Sequence, residues 1–268
     1  MKVNILDIKG KPSGQIELPE VFSHPVRSDI VKRSFLAIES SLRQAYGSDP
    51  MAGKRTSAHY HGRRRVKFSM IMTNHARIPR LHGGAPHLSY RARRVPQSVK
   101  GRRAHPPKAM KNWVQKINNK ENMLALKSVF AATASQEYIQ KRGHLANGLT
   151  FPLIIKDDLQ SLKKTKDVLE LLINLGLDKE LERIKEKKVR AGKGKRRGRK
   201  YKRKVGPILI IGEDKGLAKA GKNISGVDVR VINDLTVKDL APGAEPGRLA
   251  IYSQSAIKKI EGFVNGSV

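Results

Sequence analysis

The chain has no cysteine in its 268 residues. That absence excludes a disulfide framework, a thiolate zinc site and a cysteine nucleophile, and it fits a reducing compartment. Long apolar runs are missing too. The longest clean one, Val205 to Gly212, has the length of a strand, far short of the roughly 20 residues that span a bilayer. The opening MKVNILDIKGKPSG carries a charge every few residues and no apolar stretch, so no secretory signal is expected. The third absence is local. Residues 50–120 contain no aspartate or glutamate, yet these 71 positions hold 18 lysines and arginines and six of the eight histidines.

A second acid-free run, 187–204, adds 12 basic residues, so the two segments carry +30 of the +32 formal charge. The remaining 179 residues are near neutral, with 25 basic and 23 acidic side chains. Like charges at this density repel one another and need a counter-charge. A phosphate backbone supplies it, at about one negative charge per 1.7 Å of duplex. A membrane surface would need the cations opposite an apolar helix face. These runs are rich in Gly, Pro and His instead, and no membrane partner is expected.

Outside those segments the pattern is that of an α/β body. Residues 3–8 and 14–18 read as strands joined by a Lys-Pro-Ser-Gly turn. Ser28 is placed to cap a helix whose Val31, Phe35, Ile38, Leu42 and Ala45 fall on one face up to Gly47. From about 113 onward, helical and apolar strand-like runs alternate. Helices are expected from Asn119, around Val168–Leu175, near 215–221, after a capping box Thr236-Val-Lys-Asp239, and up to about Phe263. Strands are expected at 151–156, 207–211, 227–233 and 248–253. This alternation implies a single three-layer α/β domain, a mostly parallel sheet covered by helices, with a long extended basic loop. The body is expected over residues 1–49 and 113–268, the loop over 50–112, and a second basic excursion at 187–204.

The loop has no sustained period, and Gly and Pro recur through it. Between 55 and 103 arginine outnumbers lysine, and the arginines are interleaved with Tyr60, Phe68, Met70, Ile71, Met72, Ile78, Leu81, Leu88, Tyr90 and Val95. Arginine's planar fork suits bidentate phosphate contact and base stacking. The apolar content exceeds that of a solvated tail and fits a segment that orders on RNA, with apolar groups meeting sugars and bases. No helix-turn-helix or zinc-finger pattern reads a major groove, which favours RNA over DNA. The candidate contacts are Lys54, Arg55, Arg63, Arg64, Arg65, Lys67, Arg77, Arg80, Arg91, Arg93, Arg94, Lys100, Arg102, Arg103 and Lys108 in the loop. In the second run they are Lys195, Arg196, Arg197, Arg199 and Lys200.

Catalytic chemistry finds little support. Gly216-Leu-Ala-Lys-Ala-Gly221-Lys222 approaches a P-loop, but Asn223 stands where Ser or Thr binds magnesium. His59-Tyr60-His61 is at most half a metal site, without carboxylate or thiolate partners and crowded by arginines. No nucleophile elbow frames a serine, and no carboxylate lies in the basic segments to serve as general base. Binding without turnover, cofactor or metal is expected. Two other readings are an RNA-modifying enzyme with a Rossmann-like body, which lacks a cofactor fingerprint, and a DNA-compacting protein, for which the apolar interleaving is wasteful.

Several stretches, in this order and spacing, carry a resemblance. They are Ala76-Arg-Ile-Pro-Arg80, Arg91-Ala-Arg-Arg-Val-Pro-Gln-Ser-Val-Lys-Gly-Arg102, Ala104-His-Pro-Pro-Lys108, Leu126-Lys-Ser-Val-Phe-Ala-Ala-Thr-Ala134, Gly198-Arg-Lys-Tyr201, Asp239-Leu-Ala-Pro-Gly243 and Pro246-Gly-Arg-Leu249. The chain resembles the universal large-subunit ribosomal protein L four in its archaeal and eukaryotic form, and the ending soon after the last helix points to the archaeal type. The resemblance implies a cytoplasmic structural constituent of the large subunit that binds its rRNA and supports assembly. It further implies a loop tip that lines the exit tunnel for the nascent polypeptide, beside ribosomal protein L twenty-two. That tip is expected within Arg80–Arg91, with Arg80, His82, Gly83, Gly84 and His87 facing the passage.

Overall fold

The computed structural model describes residues 2–146 and 148–265. The chain divides into two compact units, Met1–Ser41 with Val114–Val268, and Leu42–Trp113.

The larger unit is built on a six-stranded sheet. Its strands are β1 (Lys2–Leu6), β2 (Pro12–Glu17), β3 (Leu153–Ile155), β6 (Ile208–Ile211), β7 (Asp228–Val231) and β8 (Ala250–Ser253). The spatial order is β2-β1-β3-β8-β6-β7, with β2 antiparallel at one edge and every other pair parallel. Three interior strands, β3 (LII), β6 (ILII) and β8 (AIYS), are buried at every position. Their alternation therefore feeds two apolar cores. Ile154, Ile208, Ile210, Ala250 and Tyr252 point to one face, where α1 (Ser28–Ser41), α2 (Asn119–Ala134), α7 (Val237–Leu240) and α8 (Gln254–Asn265) pack. Leu153, Ile155, Leu209, Ile211 and Ile251 point to the other, beneath α3 (Gln136–Lys141), α4 (Thr165–Asn174), α5 (Asp178–Lys185) and α6 (Leu217–Lys222). Full burial of each such side chain contributes roughly 1.5–3 kcal/mol. The three-layer α/β body is thus the one expected.

Local details differ from the sequence reading where side chains compete for the backbone. The first hairpin turns at Asp7–Lys11, with Gly10 at φ 75°, and not at the Lys-Pro-Ser-Gly segment. Pro12 instead opens β2, an edge strand where its missing N–H is harmless. α1 stops at Ser41, short of Gly47. Ser40 and Ser41 donate their hydroxyls to the carbonyls of Ala37 and Ile38 (2.7 and 2.8 Å), and Leu42 is exposed. α5 was not anticipated: Gly176, at φ 75°, ends α4, and Leu177, Leu181 and Ile184 form a second short apolar face.

The expected capping box is present. The Asp239 carboxylate accepts the Thr236 N–H (3.1 Å) and hydroxyl (2.6 Å). Arg248 of the Pro-Gly-Arg-Leu motif is buried, and its guanidinium donates to Gly206 O (2.9 Å), Asp239 O (2.8 Å) and Asp228. Burial lowers its pKa, against the opposing pull of Asp228. That motif arginine serves the fold.

Candidate nucleic-acid interface

Residues 187–204 form an antiparallel ribbon of β4 (Lys187–Val189) and β5 (Tyr201–Arg203), both fully exposed. A 3-10 turn at Lys193–Arg197 makes its tip, and Gly192 and Gly198, each at φ 79°, enter and leave that turn. With no buried face, a two-stranded ribbon gains little from packing. What it presents is charge: Lys195, Arg196, Arg197, Arg199 and Lys200 are all exposed.

The Leu42–Trp113 unit is a succession of turns. Its few ladder contacts centre on Arg80, which pairs with His59 on one side and with Ala92 on the other. Leu81 and Tyr90–Arg91 close a hairpin (Leu81 N–H to Arg91 O and Tyr90 N–H to Leu81 O, both 3.0 Å). Gly83 and Gly84, at φ 73° and 76°, turn its tip in open space. Only Ala58 and Met70 among its apolar side chains are fully buried. Seven non-glycine residues here, Arg65, Phe68, Met72, Asn74, Tyr90, Arg94 and Lys100, have positive φ, a conformation that costs roughly 1–2 kcal/mol each. This unit therefore combines little burial with several strained backbone positions.

Of the candidate contacts, Arg80, Arg93 and Arg102 are half-buried and all the others exposed. Among the described residues, only Arg55 of these twenty has an acidic partner, Asp49. Arg80 and Arg93 are turned inward. Arg80 donates to Tyr90 O (2.8 Å) and Ala76 O (3.1 Å), and Arg93 to Ala92 O and Val99 O (both 3.0 Å). These two guanidiniums brace the loop. At the expected tip, Gly83, Gly84 and His87 are exposed, while His82 is half-buried and accompanies His59 and His61 at ring distances of 4.3–4.4 Å. Burial, then the neighbouring His82 and His59, lowers the pKa of His61.

A further group lay outside the sequence reading. Tyr46 stacks on Trp113 (5.4 Å, 20°), and the cations of Arg43 and Lys111 lie 4.1 and 4.4 Å from the same ring. The cleft beside them is lined by the candidates Arg103 and Lys108 with His105, Pro106 and Pro107. Aromatic and guanidinium planes next to a basic cleft suit base stacking. The signal available in sequence was a lone Trp inside the acid-free segment. The partial P-loop is ruled out by its geometry: the Asp214 carboxylate accepts the N–H groups of Gly216 and Ala218 (2.9 and 3.1 Å), where a phosphate would have to sit.

The model of the ribosomal protein L4/L1 family matches residues 16–263. The chain belongs to that family. Similar relatives include the large ribosomal subunit protein uL4 of Archaeoglobus fulgidus, 44% identical over 96% of this chain and 97% of the relative. The uL4 proteins of Nanoarchaeum equitans (43%, covering 97% of each chain) and Methanosphaera stadtmanae (40%, covering 97% of this chain and 96% of the relative) are similar to it as well.

Proposed function

We propose that this protein is a non-enzymatic structural constituent of the large ribosomal subunit in the cytoplasm, where it binds large-subunit rRNA and neighbouring ribosomal proteins. The observation that carries the reading is the pairing of a near-neutral, fully packed body with two segments whose exposed cations have almost no acidic partners. Phosphates are the counter-charges that such segments require. Membership in the L4/L1 family and the names of its archaeal relatives support the same assignment.

At finer grain, the loop over 50–112 reaches into the rRNA, and the exposed residues around Gly83, Gly84 and His87 line the exit tunnel near ribosomal protein L twenty-two, within reach of the nascent polypeptide. The inward bonds of Arg80 and the half-burial of His82 leave Gly83 to His87 as the tip's free surface. The test is to express a tagged copy in an archaeal host and measure its occupancy in large subunits after a high-salt wash, together with crosslinking of a stalled nascent chain to a probe at position 87. Stoichiometric occupancy and a tip crosslink are expected. Recovery only in the free pool overturns the assignment. Occupancy with a crosslink that stays away from the tip overturns the tunnel placement alone.

A further inference from the structure

In sequence, His59 and His61 are a pair with no third ligand in sight. The fold supplies one from 21 residues further on. Reciprocal hydrogen bonds between His59 and Arg80 (N–H to O, 3.2 and 3.1 Å) fix the register of the two segments. Beyond that isolated antiparallel bridge the chain turns rather than continuing a ladder, and the rings of His59, His61 and His82 lie 4.3–4.4 Å apart. The ligand nitrogens of His59, His61 and His82 all lie within 4.8 Å of one another.

The hydrogen bonds around the cluster decide which nitrogens carry protons. His59 Nδ1 lies 2.9 Å from Ser57 O, and His82 Nε2 lies 3.1 Å from His59 O. A carbonyl oxygen only accepts, so both of these nitrogens are N–H donors. In its neutral form each ring then holds its lone pair on the other nitrogen, Nε2 of His59 and Nδ1 of His82. A backbone carbonyl that fixes the tautomer of a ligating histidine is the usual outer support of a metal site. His82 Nδ1 is moreover buried without a hydrogen-bond partner among the described residues, and a buried acceptor left unpaired calls for an occupant.

The surroundings fit as well. Phe68 packs 5.1 Å from His82, and the buried Met70 donates its N–H to His61 O (3.1 Å), so one side of the cluster is apolar. The nearest arginine in the register, Arg80, has its guanidinium drawn to the carbonyls of Tyr90 and Ala76.

We infer that His59, His61 and His82 form a three-histidine site for a borderline transition-metal cation, Zn2+ foremost. Neutral imidazoles suit zinc, copper and nickel, whereas magnesium and calcium prefer oxygen. Bonds of about 2.1 Å in a tetrahedron place ligand nitrogens about 3.4 Å apart, so nitrogens now within 4.8 Å of one another close in by up to about 1.4 Å on binding. The fourth position takes water or an anion, and an anion there would offset the charge of Arg63, Arg64 and Arg65. The ion would tie residues 59–61 to the base of the 80–91 hairpin and hold the tip's entry strand in place.

The experiment uses the full-length, tag-free, RNA-free protein with Zn2+ in competition against a chromophoric chelator, and Co2+ as a spectroscopic probe. One Zn2+ per chain is expected, with the visible bands of tetrahedral Co2+. His59→Ala, His61→Ala and His82→Ala should each weaken binding at least tenfold, while His75→Ala and His87→Ala in the same loop leave it unchanged. Trypsin cleavage at Arg63, Arg64, Arg65 and Lys67, which lie between the ligands, should slow at least fivefold with Zn2+ in the wild type and not in His82→Ala. No stoichiometric binding by the wild type overturns the site. So does affinity that survives the three substitutions, or that falls equally with His75→Ala and His87→Ala.

Discussion

Glu180 is fully buried, and four donors converge on its carboxylate: Arg183 through two bonds (2.6 and 2.7 Å), His144 Nδ1 (2.6 Å) and the Leu145 N–H (3.0 Å). Burial by itself would raise the carboxyl pKa. The hydrogen bonds of Arg183, His144 and Leu145 outweigh it and bring the value down from 4.5 to about 2. A carboxylate held below its unfolded value stabilises the fold above about pH 4.5, and that contribution fades as the pH falls toward 2. At 1.36 kcal/mol per pKa unit it amounts to about 3 kcal/mol. Glu180→Gln should therefore lower the unfolding free energy at pH 7 by about 3 kcal/mol, since it leaves the part-buried Arg183 without its counter-charge. The difference from wild type should shrink steadily between pH 4.5 and 2 in denaturant titrations. A pH-independent difference would show that packing, not charge, is at stake. None of this was visible in the sequence, where Glu180 is one of six charged residues in the eight-residue Asp178–Lys185 segment.

At the scale of elements, the basic ribbon and the tip hairpin make opposite predictions. Alanine at Arg196, Arg197, Arg199 and Lys200 removes exposed charge from a ribbon that packs on nothing in the body's two cores. The thermal midpoint should stay within about 1 °C, while the slope of log K for rRNA against log salt flattens by up to about 3.6, at 0.7–0.9 per phosphate contact. An unchanged slope would leave those side chains merely solvated. In the hairpin, deletion of residues 83–88 removes no candidate phosphate contact, so occupancy in large subunits should stay near normal. Arg94→Glu with Arg103→Glu, both at exposed positions, should block incorporation, because Glu adds repulsion to the lost contacts. Element types in the body were legible because apolar strands such as 207–211 and the Thr236–Asp239 box are local signals. α5 and the early end of α1 were not, because Gly176 and the hydroxyls of Ser40 and Ser41 act within longer helical patterns. In the loop, exposed cations could be counted in advance. The inward turn of Arg80 and Arg93, the Trp113 stack and the approach of His82 depend on contacts across the chain that no spacing rule displays.

For the whole molecule, the charge map foretells the behaviour in bulk. A body near neutrality with +30 on two segments should bind polyanions at low salt without sequence preference and release them steeply as salt rises. The seam of the body carries a consequence of another kind. The Gln115 N–H donates to Ser40 Oγ (2.9 Å), so the two points where residues 42–113 leave and rejoin the body are stitched side by side. In polymer terms the insertion is a tether whose ends are already held together, and its length is a free variable of the body. Replacing residues 42–113 by a four-residue Gly-Ser bridge shortens the closed loop about eighteenfold. At roughly 0.6 kcal/mol per doubling, that lowers the entropy of closure by about 2–3 kcal/mol. The truncated protein should melt several degrees above the intact one while no longer entering the subunit. A truncated body that melts lower would show that the insertion lends its own order to the fold. A higher midpoint would identify it as ballast that the free protein carries for the sake of assembly.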